Sequence, residues 1–252
     1  MRACPCDRVK SAAGRGLVLS RPWLSWRHIT KLDPARAHTP AHLRAIEESG
    51  TDALMIGGTQ GVNRQNVATL LAMVRGLGLP IVLEPSSADN VVYEGADYLF
   101  VPLVLNALEP RWAGGEHAAW MTQLVRQGLA ERLPWERVVA EGYIVLNPEA
   151  AVAKLTRSRT NISREEVLGY ALLADRYLRL PIVYLEYSGT FGDPQLVKEV
   201  RAALRQAHLF YGGGIDSAEK ARLMAPHATI VVGNVLYSDP AKYRETARAL
   251  KG

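Results

Sequence analysis

The sequence contains only two cysteines in 252 residues, Cys4 and Cys6, and both lie within its first six positions. A disulfide framework is therefore excluded for the rest of the chain, and a Cys-Pro-Cys pair without clustered histidines is poor spacing for zinc. Because disulfide frameworks belong to oxidising compartments, their absence favours a reducing one, and we expect a cytoplasmic protein.

Long hydrophobic runs are also missing. No apolar stretch reaches the ~18 residues of a membrane-spanning helix, and Gly16–Leu19 is too short for the core of a signal peptide. Yet 48% of the residues are hydrophobic and only 22% are charged, which excludes a disordered or collagen-like chain. The length allows two domains or one α/β barrel.

The body of the chain has no excess of either charge. The first 27 residues hold six of the 30 basic residues and one of the 25 acidic residues, so residues 28–252 keep 24 of each. The formal net charge of +5 therefore belongs to the N-terminal stretch alone. The body offers no electrostatic reason to bind a polyanion, and we expect no nucleic-acid partner.

Short β-rich runs alternate with helical patterns from residue 28 onwards. The runs are nearly continuous in apolar residues, as in parallel strands that are covered on both faces. Eight of them are predicted: His28–Asp33, Ala53–Gly58, Pro80–Pro85, Tyr98–Asn106, Val138–Asn147, Pro181–Ser188, Ala207–Ile215 and Thr229–Asn234. The predicted helices are Pro40–Glu48, Gln65–Leu77, Glu116–Leu129, Arg164–Leu178, Pro194–Gln206, Ala218–Met224 and Pro240–Leu250.

This alternation predicts an α/β fold, a modified (β/α)8 TIM barrel. The polar gap Ser86–Asp97 between the third and fourth strands has room for one turn of helix, so the third helix is expected to be shortened or missing. A doubly wound sheet is the rival architecture. We expect residues 23–252 to form a single barrel domain, with residues 1–22 as a flexible N-terminal extension.

Glycines and polar residues gather where the predicted strands end, which is the active-site face of such barrels. Gly212-Gly213-Gly214-Ile215 follows the seventh strand and Gly233-Asn234 follows the eighth. Exposed backbone N–H groups at these two positions form the usual phosphate site of barrel enzymes. Either motif alone would indicate only a tight turn, but together they favour phosphate binding.

Four side chains at the ends of the predicted strands are candidates for chemistry. Lys31 and Asp33 alternate on the first strand and therefore share a face, where one suits an anion and the other a divalent cation. Thr59 follows the second strand and offers a second hard oxygen ligand for Mg²⁺. Glu186 lies within an apolar strand and is either a general base or half of a structural ion pair.

Several longer motifs occur in order along the chain. They read W-x-H-I-x-K-L-D-P, S-G-T-D-A, G-G-T-x-G-V, V-P-x-V-L-N, E-G-Y-I-V-L-N-P, L-P-I-x-Y-L-E-Y-S-G-x-x-G-D, L-F-Y-G-G-G-I and V-V-G-N-x-x-Y. From about Leu24 to the C-terminus, this pattern resembles the geranylgeranylglyceryl phosphate synthase family, especially its bacterial PcrB branch of heptaprenylglyceryl phosphate synthases. The resemblance implies a Mg²⁺-dependent prenyltransferase that joins the C3 hydroxyl of sn-glycerol 1-phosphate to a polyprenyl diphosphate and releases diphosphate.

The resemblance also implies roles for residues. Glu186 would be the catalytic base, and Asp33 and Thr59 would bind Mg²⁺. Glycerol 1-phosphate would be bound by Lys31, Tyr184, Leu185, Glu186, Tyr187, Ser188, Gly189, Gly214, Gly233 and Asn234. Trp120 matches a bulky residue that floors the prenyl groove in relatives making C20 products, whereas other motifs resemble the C35 branch, so the chain length stays open. A homodimer is implied, and the basic N-terminus would allow transient contact with a membrane surface.

Two other functions fit a phosphate-binding barrel. One is an isomerase or aldolase of a sugar phosphate, which would need a second acid/base partner or a Schiff-base lysine beside Lys31. The other is a non-catalytic barrel that binds phosphorylated lipid precursors. The set Lys31, Asp33 and Glu186 argues against this last function, because binding alone requires no base.

Overall fold

The computed structural model describes residues 21–92 and 94–251, so most of the predicted extension, residues 1–22, lies outside the described part. Eight strands follow one another along the chain. They are β1 (His28–Leu32), β2 (Ala53–Ile56), β3 (Ile81–Leu83), β4 (Tyr98–Val104), β5 (Val138–Val145), β6 (Ile182–Glu186), β7 (His208–Gly212) and β8 (Thr229–Val232). All eight lie inside the runs predicted from the sequence.

The strands close into a parallel barrel in the order β1 to β8. The closing pair is β8 with β1, in which His28 lies opposite Ile230 and Thr30 opposite Val232. The barrel prediction is therefore confirmed, and the doubly wound sheet is excluded, because an open sheet would leave β1 and β8 unpaired.

Nine α-helices surround the barrel in the described part of the chain. They are α1 (Pro40–Ser49), α2 (Arg64–Val74), α3 (Glu116–Arg126), α4 (Ala151–Thr156), α5 (Arg164–Leu172), α6 (Pro194–Ala203), α7 (Ala218–Met224), α8 (Asn234–Ser238) and α9 (Pro240–Arg248). The sequence did not predict α4 and α8, which have six and five residues, because fewer than two turns show no readable periodicity. The predicted helix Arg164–Leu178 is α-helical only to Leu172 and continues as a π-helical turn to Tyr177.

The third helix is missing, as predicted. Between β3 and β4 the described residues form only a 3₁₀ turn, Ala88–Asn90. Three of the other helices begin at side-chain caps of the same kind: Thr39 at α1, Asn63 at α2 and Ser163 at α5 each accept a hydrogen bond from the backbone N–H three residues further on. Such caps satisfy N–H groups that have no partner within the helix.

Side chains alternate between the two faces of each strand. On β6, Tyr184 points into the barrel with Glu186, whereas Leu185 packs in the outer layer between the strands and the helices. Below this interior, Trp23 packs edge-on against Tyr98 and Phe100, with ring centroids 5.5 Å apart in both pairs. In the described part of the chain, this aromatic cluster fills the barrel towards the amino ends of the strands, and the interior opens at the carboxyl ends.

Candidate active site

A cavity of about 690 Å³ opens at the carboxyl ends of the strands. Eleven of the residues predicted as site residues line it: Lys31, Asp33, Thr59, Trp120, Tyr184, Glu186, Ser188, Gly189, Gly214, Gly233 and Asn234. These residues come from five different strand ends and from α3, so closure of the barrel brings them together.

Leu185 and Tyr187 do not line this cavity. Leu185 is fully buried in the outer layer, because it neighbours Glu186 and alternation turns it to the opposite face. Tyr187 packs its ring 5.8 Å from that of Tyr211, beneath the loop that follows β6. We therefore expect no side-chain contact with glycerol 1-phosphate from these two residues, and the binding role that the resemblance implied for them stays a prediction.

Lys31 forms an ion pair with Glu84, at the end of β3, with 2.5 Å between Nζ and Oε2. Burial by itself would lower the pKa of Lys31, but the negative charges of Glu84 and Glu186 outweigh it and raise the pKa. Lys31 is therefore a fixed cation at the cavity wall. The ion pair that we considered for Glu186 is instead made by Glu84.

Glu186 is held by hydrogen bonds to both of its carboxylate oxygens. Tyr143 donates its hydroxyl to Oε2 at 2.8 Å, and the backbone N–H of Ser188 donates to Oε1 at 2.5 Å. Burial, followed by the charge of Glu186, raises the pKa of Tyr143 well above its usual value, so the phenol keeps its proton. Tyr143 also stacks on Tyr184, with ring centroids 4.4 Å apart. The carboxylate thus has one orientation, facing the cavity.

Glu141 is a second carboxyl group in the barrel interior and lies deeper on β5. It is fully buried, and among residues 21–92 and 94–251 neither of its oxygens has a hydrogen-bond partner. Burial raises the pKa of Glu141 well above its usual value, and the nearby charge of Glu84 adds to the effect. Burial thus favours the protonated, neutral form of Glu141.

Asp33 and Thr59 line the same side of the cavity. Asp33 Oδ1 accepts a hydrogen bond from the N–H of Ala35 and lies 2.5 Å from the position that a Cβ atom would occupy on Gly58, so only glycine fits there. Within residues 21–92 and 94–251 no group of three or more His, Cys, Asp or Glu suits a metal ion. One carboxylate with one hydroxyl nevertheless fits Mg²⁺, which usually takes few protein ligands and completes its shell with phosphates and water.

The turns after β7 and β8 form a cradle of backbone. Gly214 has φ +57°, and a Cβ atom there would lie 2.4 Å from the backbone nitrogen of Phe191. The position therefore requires glycine both for its conformation and for space. Gly233 is followed immediately by the short helix α8, which begins at Asn234. Loops after the seventh and eighth strands with a short extra helix are the usual phosphate site of these barrels.

The other side of the cavity is apolar. It is lined by Val101 and Pro102 of β4, Trp112 in the turn before α3, Trp120 of α3 and Leu155 of α4. Trp120 is 5% exposed, and its ring centroid lies 6.2 Å from that of Trp135. Residues of the segment that replaces the missing helix complete the wall: Ser86, Ser87, Ala88 and Val91. The missing helix therefore leaves a groove beside the polar site.

Arg36, Tyr143 and Tyr237 are among the residues that line this cavity and to which the sequence assigned no role. Arg36 follows the K-L-D-P motif by two residues, a signal that could have been used. Tyr237 is the last residue of the V-V-G-N-x-x-Y motif and therefore also carried a signal. Its role did not follow from the motif, because its contact with Asp33 joins residues 204 positions apart.

The closed barrel, the glycine cradle and a carboxylate facing the cavity define a phosphate-binding barrel enzyme. The PcrB family model matches residues 21–250, and the chain belongs to this family.

Two curated relatives are close in sequence. The geranylgeranylglyceryl phosphate synthase of Methanoculleus marisnigri is 47% identical over 91% of this chain and 98% of its own. The heptaprenylglyceryl phosphate synthase of Bacillus cereus is 45% identical over 90% of this chain and 97% of its own. The two relatives carry different prenyl chains in their names at almost equal identity, so overall similarity does not select a chain length.

The fold is also found in a solved structure. The (S)-3-O-geranylgeranylglyceryl phosphate synthase of Thermoplasma acidophilum, in complex with sn-glycerol-1-phosphate, superimposes with a TM-score of 0.77. The match covers 92% of this chain and 96% of that one, at 22% identity. It supports the modified barrel independently of sequence similarity.

In the described part of the chain, the helices are too short or too polar to span a bilayer.

Proposed function

We propose that this protein transfers a polyprenyl group, geranylgeranyl or heptaprenyl, from its diphosphate to the C3 hydroxyl of sn-glycerol 1-phosphate. One observation carries the proposal: a single cavity combines a glycine cradle for phosphate, an oriented carboxylate and an apolar groove. A soluble sugar phosphate would need no such groove. The activities named for the two curated relatives agree with this chemistry.

In the reaction, the C3 oxygen of glycerol 1-phosphate forms a bond to C1 of the prenyl chain. The bond from C1 to the diphosphate oxygen breaks, and its electron pair leaves with the diphosphate. Glu186 accepts the hydroxyl proton, for which its two hydrogen bonds to Tyr143 and Ser188 orient it. The cradle and the groove hold the two substrates in line, which removes much of the entropic barrier.

We further propose Mg²⁺ as the cofactor, held by Asp33 and Thr59. When bound, Mg²⁺ would neutralise part of the negative charge that develops on the departing diphosphate. Lys31 contributes a fixed positive charge on the same wall, while its ion pair with Glu84 keeps its side chain in place. The homodimer, the cytoplasmic location and the contact with a membrane surface stay predictions.

The test is incubation with radiolabelled glycerol 1-phosphate, Mg²⁺ and C15, C20 or C35 diphosphates, followed by extraction of lipid. We expect labelled ether lipid with at least one donor. In Glu186→Gln, kcat should fall by at least about a hundredfold, because general-base catalysis is lost. Calorimetric affinity for glycerol 1-phosphate should change little. Glu47→Gln, an exposed carboxylate on α1, is the matched control.

Two outcomes would contradict the proposal at different levels. Absence of labelled lipid with every donor would reject the prenyltransferase activity. Turnover that survives in Glu186→Gln, with only the affinity reduced, would instead reject Glu186 as the base and leave the activity standing.

A further inference from the structure

Arg36 lies in the loop after β1, where its backbone N–H donates to the carbonyl oxygen of Asp33 at 3.0 Å. Its guanidinium carbon lies 3.7 Å from the centre of the Tyr237 ring, and Nη1 donates to Oδ1 of Asn234 at 3.2 Å. No carboxylate of the described residues forms an ion pair with it. The exposed guanidinium is therefore positioned at the cavity wall with donors still available.

The charge around the cavity makes this arginine important. Among the described residues that line the cavity, the carboxylates are Asp33, Glu84, Glu116, Glu186 and Asp216. Lys31 and Arg36 are the lysine and arginine side chains in that lining, and His117 is neutral because burial lowers its pKa. Lys31 is already paired with Glu84. Of these two cations, Arg36 is therefore the one that has no carboxylate partner among the described residues and is available to bind a highly charged anion.

Tyr237 connects Arg36 to the metal site. Its ring supports the guanidinium, and its hydroxyl oxygen accepts a hydrogen bond from the backbone N–H of Asp33 at 3.0 Å. One side chain of α8 thus holds both the arginine and the loop that carries Asp33. An arginine stacked on an aromatic ring loses less freedom when it binds a ligand, because its plane is already oriented.

We propose that Arg36, positioned by Tyr237, binds the diphosphate group of the prenyl donor and stabilises it as it leaves. The proposal rests on the function proposed above. A guanidinium suits a diphosphate because it offers parallel N–H donors to two oxygens. Arg36 lies two residues after the Asp33-Pro34 pair. It is therefore on the side of the cavity where a Mg²⁺ ion held by Asp33 would contact the same phosphates. The phosphate of glycerol 1-phosphate uses the glycine cradle instead.

The test measures binding by calorimetry and does not depend on turnover. Inorganic diphosphate is titrated into wild type, Arg36→Gln and Arg36→Lys, with and without Mg²⁺, and glycerol 1-phosphate is titrated in parallel. Arg36→Gln should weaken diphosphate binding by about tenfold, the effect of losing one or two charge-assisted hydrogen bonds. Arg36→Lys should restore only part of it, and affinity for glycerol 1-phosphate should stay within about twofold. Arg44→Gln on α1 is the control for loss of an exposed charge.

Tyr237 is tested through two variants. Tyr237→Phe keeps the ring under Arg36, so binding of diphosphate without Mg²⁺ should match wild type. Tyr237→Leu removes the ring and should weaken that binding several-fold, approaching Arg36→Gln.

Three results would overturn the proposal. The first is that wild type binds no diphosphate, and the second is that Arg36→Gln binds diphosphate as tightly as Arg44→Gln does. The third is that Arg36→Gln weakens the binding of glycerol 1-phosphate instead, which would assign Arg36 to that substrate. None of these results would contradict the proposed prenyltransferase activity, because the labelled-lipid assay tests that activity separately.

Discussion

Glu141 and Glu186 are the same residue type on neighbouring strands, yet their surroundings give them opposite properties. Glu186 accepts hydrogen bonds from Tyr143 and Ser188 and faces the cavity. Glu141 lies four residues deeper on β5 than Val145, the residue opposite Glu186, and has no hydrogen-bond partner among the described residues. Environment, not residue type, therefore decides which carboxyl is held facing the cavity and which one is buried where the protonated form is favoured.

Replacing Glu141 tests its protonation. Because its folded-state pKa is raised above the usual 4.5, the folded protein keeps a proton that the unfolded chain has lost, so this group lowers stability increasingly as the pH rises above 4.5. Glu141→Gln should therefore be more stable than wild type by a margin that widens with pH. In thermal unfolding, each kcal/mol of added stability should raise the melting temperature by about 2–4 °C.

Unfolding of both proteins is followed between pH 5 and pH 9, with Glu47→Gln as the control for loss of an exposed carboxylate. A difference in melting temperature that stays constant, or that narrows with rising pH, would show that Glu141 is ionised in the folded protein.

At the scale of elements, the missing helix between β3 and β4 and the helix α3 together shape the groove. Ser86, Ala88 and Val91 line it where a helix would otherwise pack, and Trp120 closes it from α3. Trp120 is almost fully buried and packs near Trp135, so its ring is fixed in place. The size of this one side chain is therefore expected to limit the length of prenyl chain that fits.

Trp120→Ala should shift the chain-length preference towards longer donors. Removing the indole lets several more methylene groups enter the groove, and each buried methylene contributes about 0.8 kcal/mol. We expect the ratio of kcat/KM for the C35 donor over the C20 donor to rise by at least about tenfold. Trp135→Ala is the matched control, because Trp135 contacts Trp120 without lining the cavity and is 43% exposed. An unchanged ratio in Trp120→Ala would reject this role.

At the scale of the whole molecule, a buried polar network joins the first strand to the last helix. His28 of β1 hydrogen-bonds through Nδ1 to Thr51 Oγ1 at 2.9 Å and through Nε2 to Thr246 Oγ1 of α9 at 3.1 Å. Burial lowers the pKa of His28 to about 3. The neutral ring thus helps to hold the first strand, β1, against the last helix, α9.

This network predicts acid sensitivity. The folded-state pKa of His28 lies below its usual 6.5, so its contribution is complete above pH 6.5 and is lost as the pH falls towards 3. Between pH 7 and pH 5 the loss is about 2 kcal/mol, from ~1.5 pH units below 6.5 at 1.36 kcal/mol each. Urea denaturation of wild type and His28→Gln at both pH values measures it.

Between pH 7 and pH 5, the free energy of unfolding should fall by about 2 kcal/mol less in His28→Gln than in wild type. His208, whose pKa burial lowers to about 4, acts in the same direction and is common to both proteins. Equal drops in the two proteins would show that His28 does not carry this dependence.

The sequence by itself determined the architecture and much of the polar site. Eight apolar runs separated by helical patterns predict the barrel, because period and composition report local structure directly. The glycines after β7 and β8, with Lys31, Asp33 and Glu186, were recognisable because the carboxyl ends of parallel strands share one face. The missing helix was visible as a segment too short and too polar to form one.

Only the tertiary structure decided which of these residues interact. The partner of Lys31 is Glu84 rather than Glu186, and Leu185 turns away from the cavity although it neighbours the predicted base. Arg36 meets Asn234 across 198 positions of the chain. Contacts over such separations depend on how the barrel closes and on strand register, and local patterns in a sequence carry no information about either.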